Sequence, residues 1–372
     1  MELKNAKRVV IKIGSSLLID KKQSGIRHKW LKSLVDDVVD LRKRNIDVVL
    51  VTSGAVALGK KYIKFKKAVL TLEEKQAAAA CGQTDLSRNY QRYFNDKKIQ
   101  TAQLLLTIFD SENRRNYLNA KNTIETLLEN KVLPIINEND TVATHGLRFG
   151  DNDRLAARVS QMVGANYLIL FSDIDGLYTA NPNIDESAVH IEEVDEIDER
   201  IEAMAGGSSS TVGSGGMVTK IAAAKIAMMC GCNMILAKGF DMNPVKKLFE
   251  GGRHTLFISK ENPLNARKRW IASSLSPSGE IIIDAGAARA LQAGKSLLPA
   301  GVIDVLGEFD RGDAVEIKNS KMERIGIGIA AYSSSDAHMI KGHQSQEIEH
   351  IVGFSGRNDL IHANDLVVDD KN

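Results

Sequence analysis

The side chains best suited to chemistry lie in two polar clusters that follow a short apolar run. The run covers residues 132–136, and the clusters cover 137–140 (NEND) and 150–153 (GDND), the second just before a helical pattern. A buried strand that ends in carboxylates and amides presents a polar ligand site at the carboxyl edge of an open α/β sheet. A turn at 144–148 would fold the second cluster beside the first. The alternative is that both clusters are ordinary turns and helix caps, where Asn and Asp are common.

Two lysines accompany glycine-bearing segments that suit phosphate binding. Lys12 lies at the end of an apolar run and is followed by a Gly-Ser-Ser turn at 14–16, so an ammonium and exposed backbone N–H groups can meet a phosphate there. Residues 213–216 are rich in glycine and lead directly into a helical pattern with Lys220 one turn in. Unpaired N–H groups and the positive end of a helix dipole suit a triphosphate. A merely flexible loop would have no need of Thr219 and Lys220 in that first turn.

A third glycine pattern, at residues 54–61, nearly matches a P-loop. It follows an apolar run, but Lys61 stands where Ser or Thr would supply a hydroxyl to Mg²⁺. The segment between its two glycines also lacks further glycine to wrap a phosphate. We therefore favour another reason for these glycines. The lysines of residues 60–67 are interpreted as a solvated helix face and not as a nucleic-acid patch.

The combination of two lysines and one aspartate suits phosphoryl transfer. Lys12 and Lys220 can neutralise a transferring phosphoryl group, and Asp153 between them can hold them in place. No pattern typical of a Ser-His-Asp triad is present. A carboxylate acceptor, with a pKa of about 4.3, is already ionised at neutral pH and needs no general base. Lysines, backbone donors and Mg²⁺ would then relieve the repulsion between two anions.

Alternating elements must position these residues. The expected strands are 8–13, 47–51, 101–106, 132–136, 167–171 and 233–237. The expected helices are 28–44, 72–93, 116–129, 154–162 and 217–230. Strands that alternate with helices of this length predict βαβ units and a mainly parallel sheet. Because such units share one connection hand, the carboxyl ends of the strands meet at one edge.

The chain changes character near residue 262. Beyond residue 279 the apolar segments are short and separated by turn residues, which predicts a small β-rich domain. We expect an α/β domain over residues 1–262, a linker over 263–278 and the β-rich domain over 279–372.

Composition narrows the class of protein. The chain has 372 residues, of which 43% are hydrophobic and 26% charged, so it can bury an ample core. Its three cysteines lack the spacing of redox or zinc motifs and are interpreted as buried thiols in a reducing compartment. Neither a cleavable signal nor a membrane span is recognisable, so we expect a cytoplasmic protein.

The two parts of the chain differ in net charge. From Gly279 onward there are 9 Lys+Arg and 15 Asp+Glu, a balance of −6, while the part before it carries +8. A basic larger part suits a phosphorylated ligand. An acidic smaller part argues against RNA binding there, because phosphate contacts need Lys and Arg.

With these pieces together, the chain resembles the glutamate 5-kinase family of the amino acid kinase superfamily. The stretches that carry the resemblance are VIKIGS at 10–15, VTSGA at 51–55, INEND at 136–140, GDND at 150–153, DGLYT at 175–179, GGMVTK at 215–220 and NARKRW at 265–270. SLLP at 296–299 and GHQSQE at 342–347 resemble the PUA domain of bacterial members. The resemblance implies an amino acid kinase fold, a mainly parallel open sheet flanked by helices, followed by a small β-rich PUA domain.

The resemblance also implies roles for particular residues. L-Glutamate would be bound by Ser53, Asp140 and Asn152. ATP would be bound by Lys12, Ser172, Asp173, Ser214, Gly215, Gly216, Met217, Val218, Thr219 and Lys220. Lys12, Asp153 and Lys220 would act on the transferring phosphoryl group. No dedicated protein metal site is expected.

The implied reaction is the ATP- and Mg²⁺-dependent phosphorylation of the γ-carboxylate of L-glutamate to L-glutamyl 5-phosphate, the first step of proline biosynthesis. The resemblance further implies feedback inhibition by proline, a homo-oligomer (tetramer or dimer) and a glutamyl phosphate reductase as a partner. Two alternatives stay open. One is an acetylglutamate or aspartate kinase of the same superfamily, against which the NEND and GDND pair argues. The other is an RNA-binding protein that acts through the PUA domain.

Overall fold

The computed structural model describes residues 6–20, 25–63, 69–143, 152–205, 216–274, 277–354 and 356–369. Internal contacts divide the chain into two units, Met1–Pro263 and Leu264–Asn372. The predicted turn at 144–148, together with Gly150, Asp151, Ser214 and Gly215, lies outside the described residues.

The first unit is built on an eight-stranded sheet. Its strands and two small hairpins are β1 Arg8–Ile13, β2 Ile19–Asp20, β3 Gly25–Ile26, β4 Asp47–Val51, β5 Thr101–Leu106, β6 Leu133–Glu138, β7 Tyr167–Ser172, β8 Leu177–Tyr178, β9 His190–Ile191, β10 Glu193–Val194, β11 Asn233–Lys238 and β12 His254–Phe257. The strand order is β10-β12-β11-β7-β1-β4-β6-β5. Every pairing in it is parallel except that of β11 with β12. The predicted mainly parallel sheet is confirmed.

Helices cover both faces of this sheet. They are α1 Ser15–Leu18, α2 His28–Lys43, α3 Ala55–Gly59, α4 Leu72–Asn95, α5 Ile108–Glu112, α6 Arg114–Glu129, α7 Asn152–Val163, α8 Glu199–Met204, α9 Met217–Met229 and α10 Pro244–Phe249. Side chains alternate along a strand, so β1 serves two cores. Ile11 joins the core under α2 and α4, and Val10 joins the core under α6, α7 and α9. Lys12 therefore lies on the same face as α7 and α9.

One glycine of the P-loop-like pattern, Gly59, lies with Gly82 of α4 at a helix crossing, and the other, Gly54, has a φ of +111° at the start of α3. A Cβ on Gly59 of α3 would lie 1.6 Å from the carbonyl oxygen of Ala78 on α4. A Cβ on Gly82 would lie 1.9 Å from the carbonyl oxygen of Ala55. Close backbone approach, which only glycine permits, explains these positions without a phosphate.

Helix α4 begins at a capping box. Thr71 Oγ1 accepts a hydrogen bond from the backbone N–H of Glu74, and Glu74 Oε2 accepts one from the backbone N–H of Thr71. The reciprocal bonds satisfy two of the N–H groups that a helix start leaves unpaired. Cys81 of this helix is exposed, so its interpretation as a buried thiol is wrong; Cys232 is buried.

Several element boundaries differ from the predictions because polar residues continue a regular element, and two of these boundaries bear on the site. Strand β6 extends to Glu138, since parallel pairing with β5 continues through Leu105 opposite Asn137 and Leu106 opposite Glu138. Helix α7 begins at Asn152 and not at residue 154. Asn152 and Asp153 thus occupy its first turn.

The second unit contains a five-stranded sheet. Its elements are α11 Pro263–Ser274, which starts one residue before the unit, β13 Gly279–Ile283, α12 Ala285–Gln292, β14 Val302–Gly307, β15 Ala314–Asn319, β16 Arg324–Ile329, α13 Ser334–Ile340, α14 Ile348–Val352 and β17 Leu366–Val368, with 3₁₀ turns at Pro299–Gly301 and Ala363–Asp365. The strand order is β14-β13-β15-β16-β17, antiparallel apart from β13 with β15. Ile281, Ile283, Val315 and Ile317 are fully buried in its core. A β-rich second unit was predicted, and helix α11 lies within the predicted linker.

Candidate active site

The site lies where four parallel strands end side by side. Strands β7, β1, β4 and β6 are neighbours in the sheet. Their carboxyl ends bring Ser172, Lys12, Thr52 and Asn137 to one edge, and helix α7 begins beside them. This is the edge at which open α/β sheets bind ligands. The strand ends chosen from the sequence are therefore neighbours in space.

Asp153 lies between the two predicted lysines. Lys12 Nζ is 2.5 Å from Asp153 Oδ1, and Lys220 Nζ is 3.2 Å from Asp153 Oδ2. The relative exposures of Lys12, Lys220 and Asp153 are only 9%, 4% and 2%. Thr219 Oγ1 is 2.9 Å from the same Oδ2 atom. The structure thus joins β1, α7 and α9 through one buried carboxylate.

The two lysines keep Asp153 ionised. Burial alone would raise the pKa of Asp153, but the charges of Lys12 and Lys220 and hydrogen bonds from Lys12 and Thr219 lower it to about 2. A carboxylate that remains ionised to this pH does not accept a proton at neutral pH. Two buried ammonium groups flank this one carboxylate, and positioned lysines favour binding of an anion.

Asn152, the neighbour of Asp153, is fixed by its amide nitrogen. Its Nδ2 lies 2.7 Å from the carbonyl oxygen of Thr52, 2.7 Å from Ser53 Oγ and 3.0 Å from Asn137 Oδ1. Its Oδ1 is buried and has no hydrogen-bond partner among the described residues. An unpaired buried acceptor of this kind suits a ligand donor such as an ammonium group.

Asp140 contributes an acidic position near the end of β6. Burial raises the pKa of Asp140 to about 7, with a smaller contribution from the charge of Glu138. Both side chains are buried. Two carboxylates in one low-dielectric place are stabilised by a cation, so this part of the site favours a positively charged ligand group.

The remaining predicted contacts flank the lysines. Ser172 ends β7, the strand next to β1, and its Oγ donates to Asp173 Oδ1 at 2.8 Å. Helix α9 starts after Gly216, whose position has no side-chain cap. The backbone N–H groups of Met217 and Val218 in its first turn have no hydrogen-bond partner among the described residues, so they suit phosphate oxygens.

Sequence reasoning did not single out two groups that hold the site. Asn137 was noticed as part of a polar cluster, but its contact with Asn152 was not predicted. Gln83 of α4 accepts a hydrogen bond from Asn137 Nδ2 at 2.7 Å. Nothing in the local sequence marks Gln83, since its partner lies 54 residues away.

The described residues contain neither a cluster of metal ligands nor a membrane-spanning helix. Among the described residues, no group of three or more His, Cys, Asp or Glu side chains could hold a metal ion. None of the helices in the described ranges is both long and apolar enough to cross a membrane.

Comparison with known proteins gives family matches for both units. Residues 7–238 match the amino acid kinase family, and residues 279–352 match the PUA domain. A glutamate 5-kinase of Paramagnetospirillum magneticum is 52% identical over 98% of this chain and 98% of its own length. One of Agrobacterium fabrum is 51% identical over 97% of this chain and 92% of its own length. A solved structure of carbamate kinase from Giardia lamblia bound to AMP-PNP aligns with 69% of this chain and all of its own, at 16% identity and a TM-score of 0.49.

The matched segments contain the strands and helices that form the cluster of Lys12, Asp153 and Lys220. The two relatives extend this match across both units at about half identity. The chain therefore belongs to the amino acid kinase family, and its relatives place it among the glutamate 5-kinases that carry a PUA domain.

Proposed function

We propose that this site transfers the γ-phosphoryl group of ATP to the γ-carboxylate of L-glutamate, giving L-glutamyl 5-phosphate and ADP. This is the first step of proline biosynthesis. The observation that carries the proposal is the buried cluster in which Lys12 and Lys220 share Asp153, together with the amide oxygen of Asn152, which has no hydrogen-bond partner among the described residues. Membership of the glutamate 5-kinases supports glutamate as the acceptor.

Catalysis of this reaction requires stabilisation of negative charge and does not require a general base. A carboxylate oxygen of glutamate forms a bond to the γ-phosphorus, and the bond from that phosphorus to the β–γ bridging oxygen breaks, leaving its electron pair on ADP. The acceptor is ionised at neutral pH, so no base is required. Lys12 and Lys220 stabilise the charge on the transferring group. Asp153 positions both ammonium groups and stays ionised throughout.

Glutamate is bound through its amino-acid end. Its ammonium group pairs with the Asp140 carboxylate and donates to Asn152 Oδ1. Ser53 Oγ, held by Asn152 Nδ2 at 2.7 Å, gives a further polar contact. These roles are supported by the raised pKa of Asp140, which an ammonium ligand would relieve, and by the unpaired Asn152 oxygen.

ATP is bound along the edge from β1 to α9. Lys12, Ser172, Asp173 and the segment from Ser214 through Gly215 to Lys220 provide its contacts. Mg²⁺ enters with ATP, because it retains waters and takes phosphate oxygens as ligands and does not need a dedicated protein site. When bound, it neutralises charge on the β- and γ-phosphates. The residues present fit this arrangement, since buried lysines and free N–H groups suit a polyphosphate.

Several further properties rest on the family resemblance. The proposal includes feedback inhibition by proline, assembly into a homo-oligomer (tetramer or dimer) and a cytoplasmic location. A glutamyl phosphate reductase is the expected consumer of the product, because an acyl phosphate is reactive. The acidic balance of the second unit supports a role of the PUA domain in assembly or regulation, not in RNA binding.

Acceptor specificity tests the proposal. ADP release from MgATP is measured with L-glutamate, L-aspartate and N-acetyl-L-glutamate in parallel, with EDTA as the metal control. We expect turnover with L-glutamate, and its loss when EDTA removes Mg²⁺. N-acetyl-L-glutamate lacks the ammonium group that Asp140 binds. Comparable turnover with that compound would overturn the assigned binding mode.

A further inference from the structure

We infer that Gln83, on helix α4, is a positioning residue for glutamate binding, acting through Asn137 and Asn152. Gln83 belongs to none of the groups assigned above to glutamate, ATP or the phosphoryl group. The inference rests on the proposed function, because it concerns how that site presents its acceptor to the substrate.

Three side-chain amides form a continuous relay. Asn137 Nδ2 donates to Gln83 Oε1 at 2.7 Å. Asn137 Oδ1 in turn accepts from Asn152 Nδ2 at 3.0 Å. Asn152 Nδ2 also faces Ser53 Oγ at 2.7 Å, so the relay ends at a proposed substrate contact.

The relay determines which end of each amide faces the ligand. Gln83 Oε1 accepts from Asn137 Nδ2, which holds Asn137 with its nitrogen toward Gln83 and its oxygen toward Asn152. Asn152 directs its nitrogen inward, toward Asn137 Oδ1 and the carbonyl oxygen of Thr52. Its oxygen is left buried and unpaired among the described residues, available to the ammonium group of the substrate. Reversing Asn137 would place two amide nitrogens against each other, which is unfavourable.

Packing alone does not hold this orientation. A cavity of about 70 Å³ lies against the relay, lined by residues that include Thr52, Gln83, Tyr90, Gln91 and Asn137. The oxygen and the nitrogen of an amide are nearly equal in size, so hydrogen bonds and not packing decide which of them faces a partner. Gln83 therefore acts through its acceptor atom, not through its volume.

Helix α4 provides a matched control. Gln91 lies eight residues after Gln83, lines the same cavity and is exposed. Within the described part of the chain it makes no hydrogen bond to Asn137. Gln91→Leu removes an amide from the same helix and cavity and leaves the relay intact.

The test compares Gln83→Leu, Gln83→Glu and Gln91→Leu with the unsubstituted chain. Steady-state kinetics give kcat and the KM values for L-glutamate and ATP, and calorimetry gives L-glutamate affinity without turnover. We expect Gln83→Leu to raise the KM for glutamate about fivefold, with kcat and the KM for ATP within about twofold. Gln83→Glu retains an acceptor and should restore most of the affinity. Gln91→Leu should match the unsubstituted chain.

Three outcomes would overturn the inference. The first is a glutamate KM for Gln83→Leu equal to that of Gln91→Leu. The second is an equal loss of glutamate and ATP affinity together with a lower Tm, the mark of a merely structural role. The third is a Gln83→Glu variant no better than Gln83→Leu. Absence of glutamate binding and turnover in the unsubstituted chain would instead defeat the proposed function, and the relay with it.

Discussion

The Nζ atom of Lys12 lies 2.5 Å from Oδ1 of Asp153, inside a site where both side chains are buried. Lys220 occupies the other oxygen of the same carboxylate. One aspartate thus fixes two cations from β1 and α9 at the edge of the sheet. Substitution of Lys220 removes a positive charge from this cluster, and substitution of Asp153 removes its negative charge.

Lys220→Met should abolish most phosphoryl transfer while the fold is retained. Removing this ammonium leaves Asp153 paired with Lys12. Loss of one positioned charge stabiliser costs about 10²–10³ in kcat. Lys225→Met is the control, since Lys225 lies on the same helix, is 43% exposed and pairs with Glu202. Near-normal turnover in Lys220→Met would remove Lys220 from the mechanism.

Asp153→Asn should destabilise the protein, because it removes the charge of the buried carboxylate that both lysines share. Breaking a buried ion pair in this way costs about 3–5 kcal/mol. A polyphosphate supplies negative charge to the same lysines, so added ADP should raise the Tm of the variant more than that of the unsubstituted chain. Thermal unfolding with and without ADP checks both effects. An unchanged Tm would show that the cluster does not depend on this carboxylate.

We expect kcat/KM for glutamate to depend on pH near neutrality, because Asp140 titrates there. Its raised pKa of about 7 means that the carboxylate is protonated below this pH and charged above it. Since the charged form attracts the substrate ammonium, kcat/KM for glutamate should rise as pH increases toward 7 and level off above it. The rise in the pH profile of kcat should lie at lower pH than the rise in kcat/KM, because the bound ammonium group favours the ionised form of Asp140.

Asp140→Asn separates this effect from other titrations. The variant should have a higher KM for glutamate at all pH values and should lack the limb near 7. Its KM for ATP should be unchanged, which distinguishes loss of the substrate contact from general damage. A limb that persists in Asp140→Asn would assign the pKa to another group.

The full chain should not bind structured RNA tightly. Acidic residues outnumber basic ones after Gly279, giving a balance of −6, and phosphate binding requires the opposite. Filter binding at physiological salt measures this directly. Sub-micromolar affinity that weakens as salt is raised would support RNA as a partner of the PUA domain.

Much of the fold could be predicted because its strands are short, largely apolar runs, and β1 and β4 are buried on both faces. Strands β1, β4 and β5 begin and end at the predicted residues. Strand β6 could not be bounded in this way, since Asn137 and Glu138 are polar and join the strand only through pairing with β5. The short edge strand β10 and helix α3 also lack a periodic pattern long enough to recognise.

The meeting of Lys12, Asp153 and Lys220 could also be predicted, because parallel strand ends and helix starts share one edge. The roles of these residues stay predictions. The contact of Gln83 with Asn137 could not be derived, because nothing in the local sequence marks Gln83 as a partner. The hydrogen bond from Thr219 to Asp153 was likewise not predicted.

Trapping the product tests the central claim most directly. The full chain is incubated with MgATP, L-glutamate and hydroxylamine, which converts an acyl phosphate into a stable hydroxamate, and ADP and hydroxamate are measured together. We predict that both form in equal amounts and only when L-glutamate is present. Glutamate-independent ADP release, or ADP release with no hydroxamate, would contradict phosphorylation of the γ-carboxylate.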